Sequence, residues 1–352
     1  MNTNNRVKNL FTSLEYAPLK LLNKHQKVNS ILKLRDGKIS FDPLWPVSVE
    51  LHLTNQCNLN CYWCTDKDLK KNKTFLDVKI IERLFREFKE HDVGVTLEGG
   101  GEPTLHKDFS GLVKYAGDIG LDIGLISNGT KDISDLVNYF KWIRVSIDAA
   151  NPDEYKYEKN VDYFNGVMTN IQKINAARKD SETLLGVGYV ITKNNDKHLL
   201  DFIESLDKIG IDYIYMRPVE EYVESLPDFE KLYKLHKYLI KNEDRFRIKV
   251  SLKLDERVVK SNAGLPCIAH SLTCIIRADG NVVMCEKRRH DTKILGNLSE
   301  SSFEDIWLSE IRKDVSKQLL NPKSQIGCGV CRITNFNQIF YDLGKLKTIN
   351  FI

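Results

Sequence analysis

The hydrophobic positions divide the chain into short β-type segments that alternate with amphipathic helical segments. Six segments rich in Val, Ile, Leu and aromatic residues, bounded by Gly, Asn, Asp or Pro, are predicted strands: 46–54, 94–100, 122–129, 142–149, 184–192 and 213–219. Apolar residues at three- and four-residue steps predict helices over 76–91, 167–179 and 198–210. Strands that alternate with such helices form parallel βα units, so we predict an α/β fold with a partial (β/α)6 barrel.

The pattern changes after about residue 225. Residues 228–244 form a charged helical segment, and two apolar runs then flank Asp279-Gly280-Asn281, which predicts a β-hairpin. Residues 296–320 predict a Ser-capped amphipathic helix. We therefore expect three parts: an N-terminal extension (1–45), the barrel (46–225), and a linker helix followed by a small α+β domain (226–352).

Composition and charge narrow the class of protein. The chain has 352 residues, with 52 Lys and Arg against 48 Asp and Glu, a net charge of +4 that argues against a dedicated nucleic-acid binder. The 42% hydrophobic and 28% charged residues exclude wholesale disorder. No apolar stretch is long enough to span a membrane, and the first residues contain no secretory apolar block. We expect a cytoplasmic protein without nucleic-acid or membrane partners.

The cysteines carry the candidate chemistry. The eight cysteines are Cys57, Cys61, Cys64, Cys267, Cys274, Cys285, Cys328 and Cys331. Disulfide frameworks belong to small secreted domains without a large core, whereas closely spaced thiolates in a reducing compartment are typical of metal ligands. We therefore interpret both groups as metal-binding.

The first group, Cys57-x3-Cys61-x2-Cys64, directly follows the first predicted strand. Short spacings let one loop place its thiolates around a single inorganic centre. Three ligands leave a four-ligand site one short, and an open position usually marks a reactive metal site. A structural zinc site completed by His52 is the alternative.

Polar and glycine motifs end the next three predicted strands. Gly99-Gly100-Gly101-Glu102 ends the second, Ser127-Asn128-Gly129 the third, and Ser146 with Asp148 the fourth. Each has a structural explanation by itself: a turn, a tight turn, and a helix cap. Ligand-binding residues of such barrels gather at the C-terminal ends of the strands, so together these motifs predict a ligand site beside the cysteine loop.

The remaining cysteines lie in the C-terminal region. Cys267, Cys285, Cys328 and Cys331 form a plausible closed four-thiolate site. Cys274 is left over. A buried, structural role is the commoner fate of a single cysteine.

Together these motifs resemble those of radical S-adenosylmethionine (SAM) enzymes. The segment CNLNCYWC resembles the family's Cys-x3-Cys-x2-Cys signature, and Gly100-Gly101-Glu102 its Gly-Gly-Glu motif. The C-terminal cysteines and Gly280 resemble the SPASM/twitch extension. No cysteine follows Cys331, which matches the shortened twitch form with one auxiliary cluster. The resemblance covers roughly residues 46–335.

The resemblance implies a role for each matching residue. Cys57, Cys61 and Cys64 would hold a 4Fe–4S cluster whose open iron binds the amino and carboxylate groups of SAM. Gly100, Gly101 and Glu102 would lie at the methionine amino group, Ser146 and Asp148 near the ribose, and Trp63 and Val190 near the adenine. The C-terminal four cysteines, Cys267, Cys285, Cys328 and Cys331, would hold an auxiliary 4Fe–4S cluster.

The resemblance also implies the reaction. Such enzymes cleave SAM reductively to methionine and a 5′-deoxyadenosyl radical, which abstracts a substrate hydrogen atom, and they take electrons from a donor such as flavodoxin or ferredoxin. An auxiliary cluster that accepts an electron suits dehydrogenation. We expect a small hydroxylated or sugar-like substrate because 45 residues are few for a peptide-recognition domain. Arg217 could hold a substrate hydroxyl or anion, with an ion pair to Glu220 or Glu221 as its alternative.

Three other functions remain open. Cys274 could donate a hydrogen atom, as in radical SAM epimerases. The enzyme could instead be a peptide- or protein-modifying maturase. A non-catalytic zinc-binding module is the rival from another class.

Overall fold

The computed structural model describes residues 45–178, 181–220, 222–254, 265–286, 294–321 and 333–345, with single positions at 21, 24, 26, 28, 29, 31, 323 and 331. Contacts divide the chain into two compact units. The first contains Glu50–Leu254 and Arg277–Asp279, and the second contains the described parts of Phe11–Val49, Asp255–Ile276 and Gly280–Ile352. Within the described part, no helix is long and apolar enough to cross a membrane.

Seven strands run side by side in chain order, and all but the first two residues of the first strand belong to the first unit. They are β1 (Ser48–Leu51), β2 (Gly94–Leu97), β3 (Ile123–Ser127), β4 (Trp142–Ser146), β5 (Leu184–Ile191), β6 (Tyr213–Pro218) and β7 (Lys249–Leu252). Every pair from β2/β3 to β6/β7 is parallel. The predicted α/β architecture and its six strands are confirmed. The seventh is a short edge strand with only Leu252 buried, so its residues carry little strand pattern.

Helices connect these strands. They are α1 (Val78–Glu90), α2 (Phe109–Asp118), α3 (Pro152–Lys159), α4 (Phe164–Ala177), α5 (Leu199–Ile209) and α6 (Phe229–Lys241). Helix α1 illustrates why they form: its buried residues Ile81, Leu84, Phe85 and Phe88 recur at helical spacing, and Asp77 caps its first turn. The sequence makes Asp148 a candidate for the N-cap of α3. In the structure Asn151 is the N-cap, and its side chain accepts from the backbone N–H of Glu154.

The two faces of strand β4 differ in burial. Ile143 and Val145 are buried, whereas Trp142, Arg144 and Ser146 are half-buried. Because side chains alternate along a strand, these three share the face opposite to Ile143 and Val145. We call this second face of the sheet the inner face.

The second unit contains the two strands of the predicted hairpin and a group of helices. Strands β8 (Thr273–Ile276) and β9 (Asn281–Val283) are antiparallel, and β9 also pairs with β10 (Gly296–Asn297). The helices are α7 (Phe303–Leu308), α8 (Glu310–Leu320) and α9 (Thr334–Lys345). The predicted Ser cap is present, because the Ser302 side chain accepts from the Asp305 N–H at the start of α7, but the segment 296–320 contains two helices and not one. Ser309 ends α7 in an extended conformation, and its side chain caps α8, which starts a second helix.

Candidate functional site

The three-cysteine loop begins where β1 ends. Thr54 anchors its start: the Thr54 hydroxyl donates to the Thr74 carbonyl at 2.9 Å and accepts from the Gln56 N–H at 3.0 Å. Cys61 is buried, with 8% of its surface exposed, whereas Cys57 and Cys64 are half-buried. The Cys64 N–H donates to the Cys61 carbonyl at 3.2 Å, which closes a turn between these two predicted ligands.

Lys70 is the cation that the three thiols share. Burial alone would lower the pKa of Lys70, but the charges of Cys64, Cys57 and Cys61 and a hydrogen bond with Cys64 raise it. Burial raises the pKa of the Cys61 thiol, and this effect outweighs the opposing charges of Lys159 and Lys70. The three sulfurs therefore lie in one neighbourhood, as ligands of one inorganic cluster require.

The zinc alternative requires at least three side chains around one ion. Among the described residues, no group of three or more His, Cys, Asp or Glu side chains is placed to hold one. The ring of His52, the fourth ligand of the zinc alternative, packs against Gly99: a Cβ built there would lie 2.3 Å from His52 Nε2. The donor set of three thiols in one loop suits a multi-iron cluster.

The triple glycine packs directly against the cysteine loop. A Cβ on Gly101 would lie 2.0 Å from the Gln56 carbonyl oxygen, and one on Gly100 would lie 2.7 Å from Asn55 Oδ1. Gly100 also has a φ of +61°, which disfavours side chains. The Gly101 N–H donates to the Thr54 carbonyl at 2.9 Å. Only glycine lets these two backbone segments approach so closely.

Glu102 connects the second and third strand ends. Its carboxylate is 2% exposed and accepts from the Ser127 hydroxyl at 2.8 Å, the Asn128 N–H at 2.7 Å and the Thr104 hydroxyl at 2.7 Å. Burial raises the pKa of Glu102, and these hydrogen bonds oppose the shift. Because its oxygens already have these donors, Glu102 acts within the protein as a link between strand ends.

The third strand end in turn holds the cysteine loop. Asn128 Nδ2 donates to Asn58 Oδ1 at 2.8 Å, and Asn58 Nδ2 donates to the Thr130 hydroxyl at 2.9 Å. Asn58 lies between Cys57 and Cys61. Hydrogen bonds thus connect the second strand end to the third, and the third to the cysteine loop.

Helix α3 holds the other side of the loop. Trp63 Nε1 donates to Glu158 Oε2 at 2.7 Å, and Lys159 Nζ lies 4.9 Å from the centre of the Trp63 ring. The buried Lys159 ammonium forms an ion pair with Asp148, whose other carboxylate oxygen accepts from the Val190 N–H at 2.6 Å. Asp148 and Val190, both predicted near SAM, are therefore joined to each other.

Burial shifts the ionisation of this side of the site. Desolvation raises the pKa of Glu158 to about 7, against the hydrogen bonds from Thr192 and Trp63. For Lys159, desolvation acts to lower the pKa, but the charge of Asp148 outweighs it and the pKa is raised. Desolvation also raises the pKa of the fully buried Tyr155 to about 12.

The pairing of neighbouring strands places the other predicted site residues, Ser146, Val190 and Arg217, on three consecutive strands. Ser146 ends β4 opposite Gly188, and Val190 lies opposite Arg217 on β6. Arg217 Nη1 donates to Glu220 Oε1 at 3.2 Å, so the ion pair considered as its alternative is present. Glu221, the other candidate partner, lies outside the described residues.

Sequence reasoning missed Lys70, Tyr155, Glu158 and Lys159. They lie in charged or mixed segments without a motif, and only the fold brings them to the cysteines. The buried positions of α3 recur at helical spacing, but three of the four are charged, so no apolar pattern marks them; they are Glu154, Tyr155, Glu158 and Lys159. No signal in the sequence distinguishes them from surface charges.

The second cysteine group lies in the second unit. Cys267 is buried and its N–H donates to the Leu319 carbonyl at 2.9 Å, while Asn337 Nδ2 approaches its sulfur at 3.7 Å. Cys285 and Cys331 are half-buried, and Cys328 lies outside the described residues. The four-thiolate site therefore remains a prediction.

Cys274 is completely buried on β8. It lies within electrostatic range of Arg312, whose pKa is lowered to about 10 by burial. The Arg312 guanidinium stacks on Trp307, with 3.9 Å between its carbon and the ring centre. The placement suits the buried structural role, and hydrogen-atom donation stays a prediction.

Comparisons with known proteins identify two domains in this chain. Residues 51–206 match the model of the Radical SAM superfamily, and residues 267–332 match that of an iron–sulfur cluster-binding domain, SPASM. The chain is 24% identical over 307 residues to the mycofactocin maturase MftC of Mycolicibacterium smegmatis, covering 81% of this chain and 75% of that protein. It is 26% identical over 310 residues to a cysteine-type anaerobic sulfatase-maturating enzyme of Clostridium novyi, covering 76% and 80%.

Solved structures show the same fold. The crystal structure of Streptococcus suis SuiB bound to precursor peptide SuiA superimposes with a TM-score of 0.64 at 16% identity, covering 90% of this chain and 77% of that one. A radical SAM domain implies a 4Fe–4S cluster and SAM as cofactors, and a SPASM domain implies auxiliary iron–sulfur binding. The chain therefore carries a Radical SAM superfamily domain at residues 51–206 and a C-terminal SPASM iron–sulfur cluster-binding domain at residues 267–332.

Proposed function

We propose that this enzyme is a maturase that modifies a peptide or protein substrate by radical SAM chemistry. The relatives support it: one is a mycofactocin maturase, another a sulfatase-maturating enzyme, and a structural neighbour was crystallised with a precursor peptide. These relatives do not support the small sugar-like substrate expected from the sequence. The observation that carries the proposal is the cysteine loop beside Lys70, within a chain that matches both domains. Gly100 and Gly101, which we call the glycine cradle, pack against this loop.

Cys57, Cys61 and Cys64 would hold the SAM-binding 4Fe–4S cluster. Cys267, Cys285 and Cys331, with Cys328, would hold an auxiliary cluster. When bound, the first cluster and SAM supply a 5′-deoxyadenosyl radical that abstracts a hydrogen atom from the substrate. An electron donor such as flavodoxin or ferredoxin would supply electrons to these clusters.

The residues around the loop would orient these groups. The backbone of Gly100 and Gly101 would face the methionine end of SAM, and the half-buried Ser146 would face its ribose. Trp63 and Val190 would border the adenine. Glu102 and Asp148 would act as positioning residues, because their carboxylates are buried and already hold strand ends together.

The test is anaerobic reconstitution followed by incubation with SAM, dithionite and candidate precursor peptides encoded beside the gene. We expect 5′-deoxyadenosine formation and a SAM-dependent change in the mass of one peptide. Deuterium on the peptide should appear in 5′-deoxyadenosine. A protein that cleaves SAM but alters small alcohols or sugars, and no peptide, would contradict the maturase. Incorporation of solvent deuterium into the product would indicate epimerisation.

A further inference from the structure

Arg144 lies on the inner face of the sheet and is not part of the motifs described above. It is in the middle of β4, where it pairs with Gly186 on β5, and Ser146 ends the same strand on the same face. Its side chain is half-buried. Arg144 therefore lies two residues before the strand end at which SAM is expected, on the same face of the sheet as Ser146.

The Arg144 guanidinium makes no hydrogen bond and no ion pair within the part of the chain that the structure describes. It lies between two aromatic rings, 5.2 Å from the centre of the Tyr215 ring and 5.9 Å from that of Trp142. Cation–π contacts fix the position of the charge and leave its N–H donors unused. By contrast, Arg217 on β6 is paired with Glu220.

Glycines make the space that this arrangement requires. A Cβ on Gly188 would lie 3.6 Å from the Arg144 Cγ and Cδ atoms, so the arginine stem covers a position without a side chain. A Cβ on Gly124 would lie 2.2 Å from the Trp142 ring, and one on Gly186 would lie 2.0 Å from the Tyr213 ring. The three glycines thus allow large side chains to lie flat on this face and hold the arginine between them.

We propose that Arg144 is a specificity residue that binds a carboxylate of the substrate on the inner face of the sheet. The inference rests on the proposed peptide substrate and deepens it. A guanidinium presents a planar fork of donors that matches a carboxylate, and pairing inside a partly desolvated face is stronger than at an open surface. In a peptide this group is either an Asp or Glu side chain or the C-terminal carboxylate.

The test uses a peptide library, because the substrate is unidentified. N-acetylated peptides with four randomised positions are prepared as C-terminal amides and as free acids. They are incubated anaerobically with immobilised, reconstituted enzyme and SAM, and the retained peptides are sequenced by mass spectrometry. Enrichment of Asp or Glu among the amides indicates a side-chain carboxylate, and enrichment of the free acids indicates the C-terminus.

Wild-type enzyme should enrich carboxylate peptides roughly tenfold or more, as expected for a charge-assisted pair. Arg144→Gln should reduce this preference to about twofold or less, Arg144→Lys should retain part of it, and Arg144→Glu should shift it toward Lys- and Arg-containing peptides. The matched control is Arg86→Gln, an exposed residue of α1 that donates to the Tyr115 hydroxyl, and it should keep the wild-type preference.

The outcomes separate the two proposals. Enrichment of peptides without any carboxylate preference, or a preference that Arg144→Gln and Arg144→Glu both keep, overturns the role of Arg144 and leaves the maturase in place. Retention of no peptide by the wild-type enzyme overturns the peptide substrate and this inference together. A shift of preference in Arg144→Glu cannot arise from misfolding, so that variant decides the matter if Arg144→Gln is unstable.

Discussion

Trp63 Nε1 donates a 2.7 Å hydrogen bond to Glu158 Oε2, and this bond ties the three-cysteine loop to the end of helix α3. The same carboxylate accepts from the Thr192 hydroxyl at 2.7 Å, so one buried side chain joins the loop to the segment after β5. Trp63 is thus fixed through its N–H, which leaves its ring to pack beside Lys159 and the predicted adenine site.

The first prediction concerns the ionisation of Glu158. Its pKa is about 7 in the folded protein against about 4.3 for an exposed glutamate. The folded state therefore binds more protons between pH 4.3 and 7, so stability falls as pH rises through this window and is constant above it. The loss is on the order of 3 kcal/mol.

Glu158→Gln should flatten this dependence, because an amide can accept from Trp63 and donate to the Thr192 oxygen without titrating. Urea unfolding of the cluster-free, reduced protein at pH 5, 6, 7 and 8 measures the effect. Exposed Glu90→Gln serves as the control. Equal pH slopes for wild type and Glu158→Gln would contradict the shifted pKa.

The second prediction concerns the buried ion pair of Asp148 with Lys159. Asp148→Asn or Lys159→Met alone should each cost about 3–5 kcal/mol of unfolding free energy, because each leaves one buried charge uncompensated. The double variant should cost less than the sum of the two single losses. Denaturant unfolding of all four proteins closes the cycle, and strictly additive losses would show that the two charges do not depend on each other.

The third prediction compares two glycines. Gly101→Ala should lower the free energy of unfolding by on the order of 3 kcal/mol, because the new Cβ would overlap the Gln56 carbonyl oxygen and the backbone would have to shift. The same shift of the cysteine loop should reduce the amount of iron that the protein retains. Gly111→Ala is the matched control. It lies in helix α2 with no atom within 4 Å of a built Cβ, so alanine should stabilise the protein by up to about 1 kcal/mol. Equal unfolding midpoints for the two variants would contradict the close packing of Gly101 against the cysteine loop.

The fourth prediction concerns iron content. Reconstituted wild-type enzyme should hold about eight irons and eight sulfides per chain, from two cubane clusters. Cys57→Ala, Cys61→Ala or Cys64→Ala should leave about four irons and abolish 5′-deoxyadenosine formation. Cys285→Ala or Cys331→Ala should also leave about four while SAM cleavage continues. Zinc in place of iron in the wild-type protein would end the radical SAM reading of the site.

The fifth prediction separates Cys267 from Cys274. Cys267→Ala should lower the iron content by about four per chain, whereas Cys274→Ala should keep all iron if it is a buried structural thiol. Cys274→Ala should still cost about 1–3 kcal/mol of stability, because it removes a completely buried side chain beside Arg312. If Cys274→Ala lost iron and Cys267→Ala kept all of it, Cys274 would be the cluster ligand and Cys267 the structural thiol.

The sequence by itself determined the parallel βα order, the two cysteine groups and the strand ends that approach the first group. Hydrophobic period and Gly, Asn and Asp punctuation are local properties, and parallel strands place their C-terminal ends at one edge by topology alone. The break between α7 and α8 was missed because apolar residues continue at helical spacing on both sides of Ser309.

Tertiary structure decided which polar groups meet. Glu102 accepts from Ser127 and Asn128 at another strand end. Glu158 and Lys159 belong to the charged helix α3 and contact Trp63 of the cysteine loop. The same holds for Arg144, whose neighbours Tyr215 and Gly188 come from β6 and β5. The sequence gives the charge and size of each side chain. Its burial and its hydrogen-bond or ion-pair partners depend on residues that are distant along the chain, so only the folded protein determines these two properties.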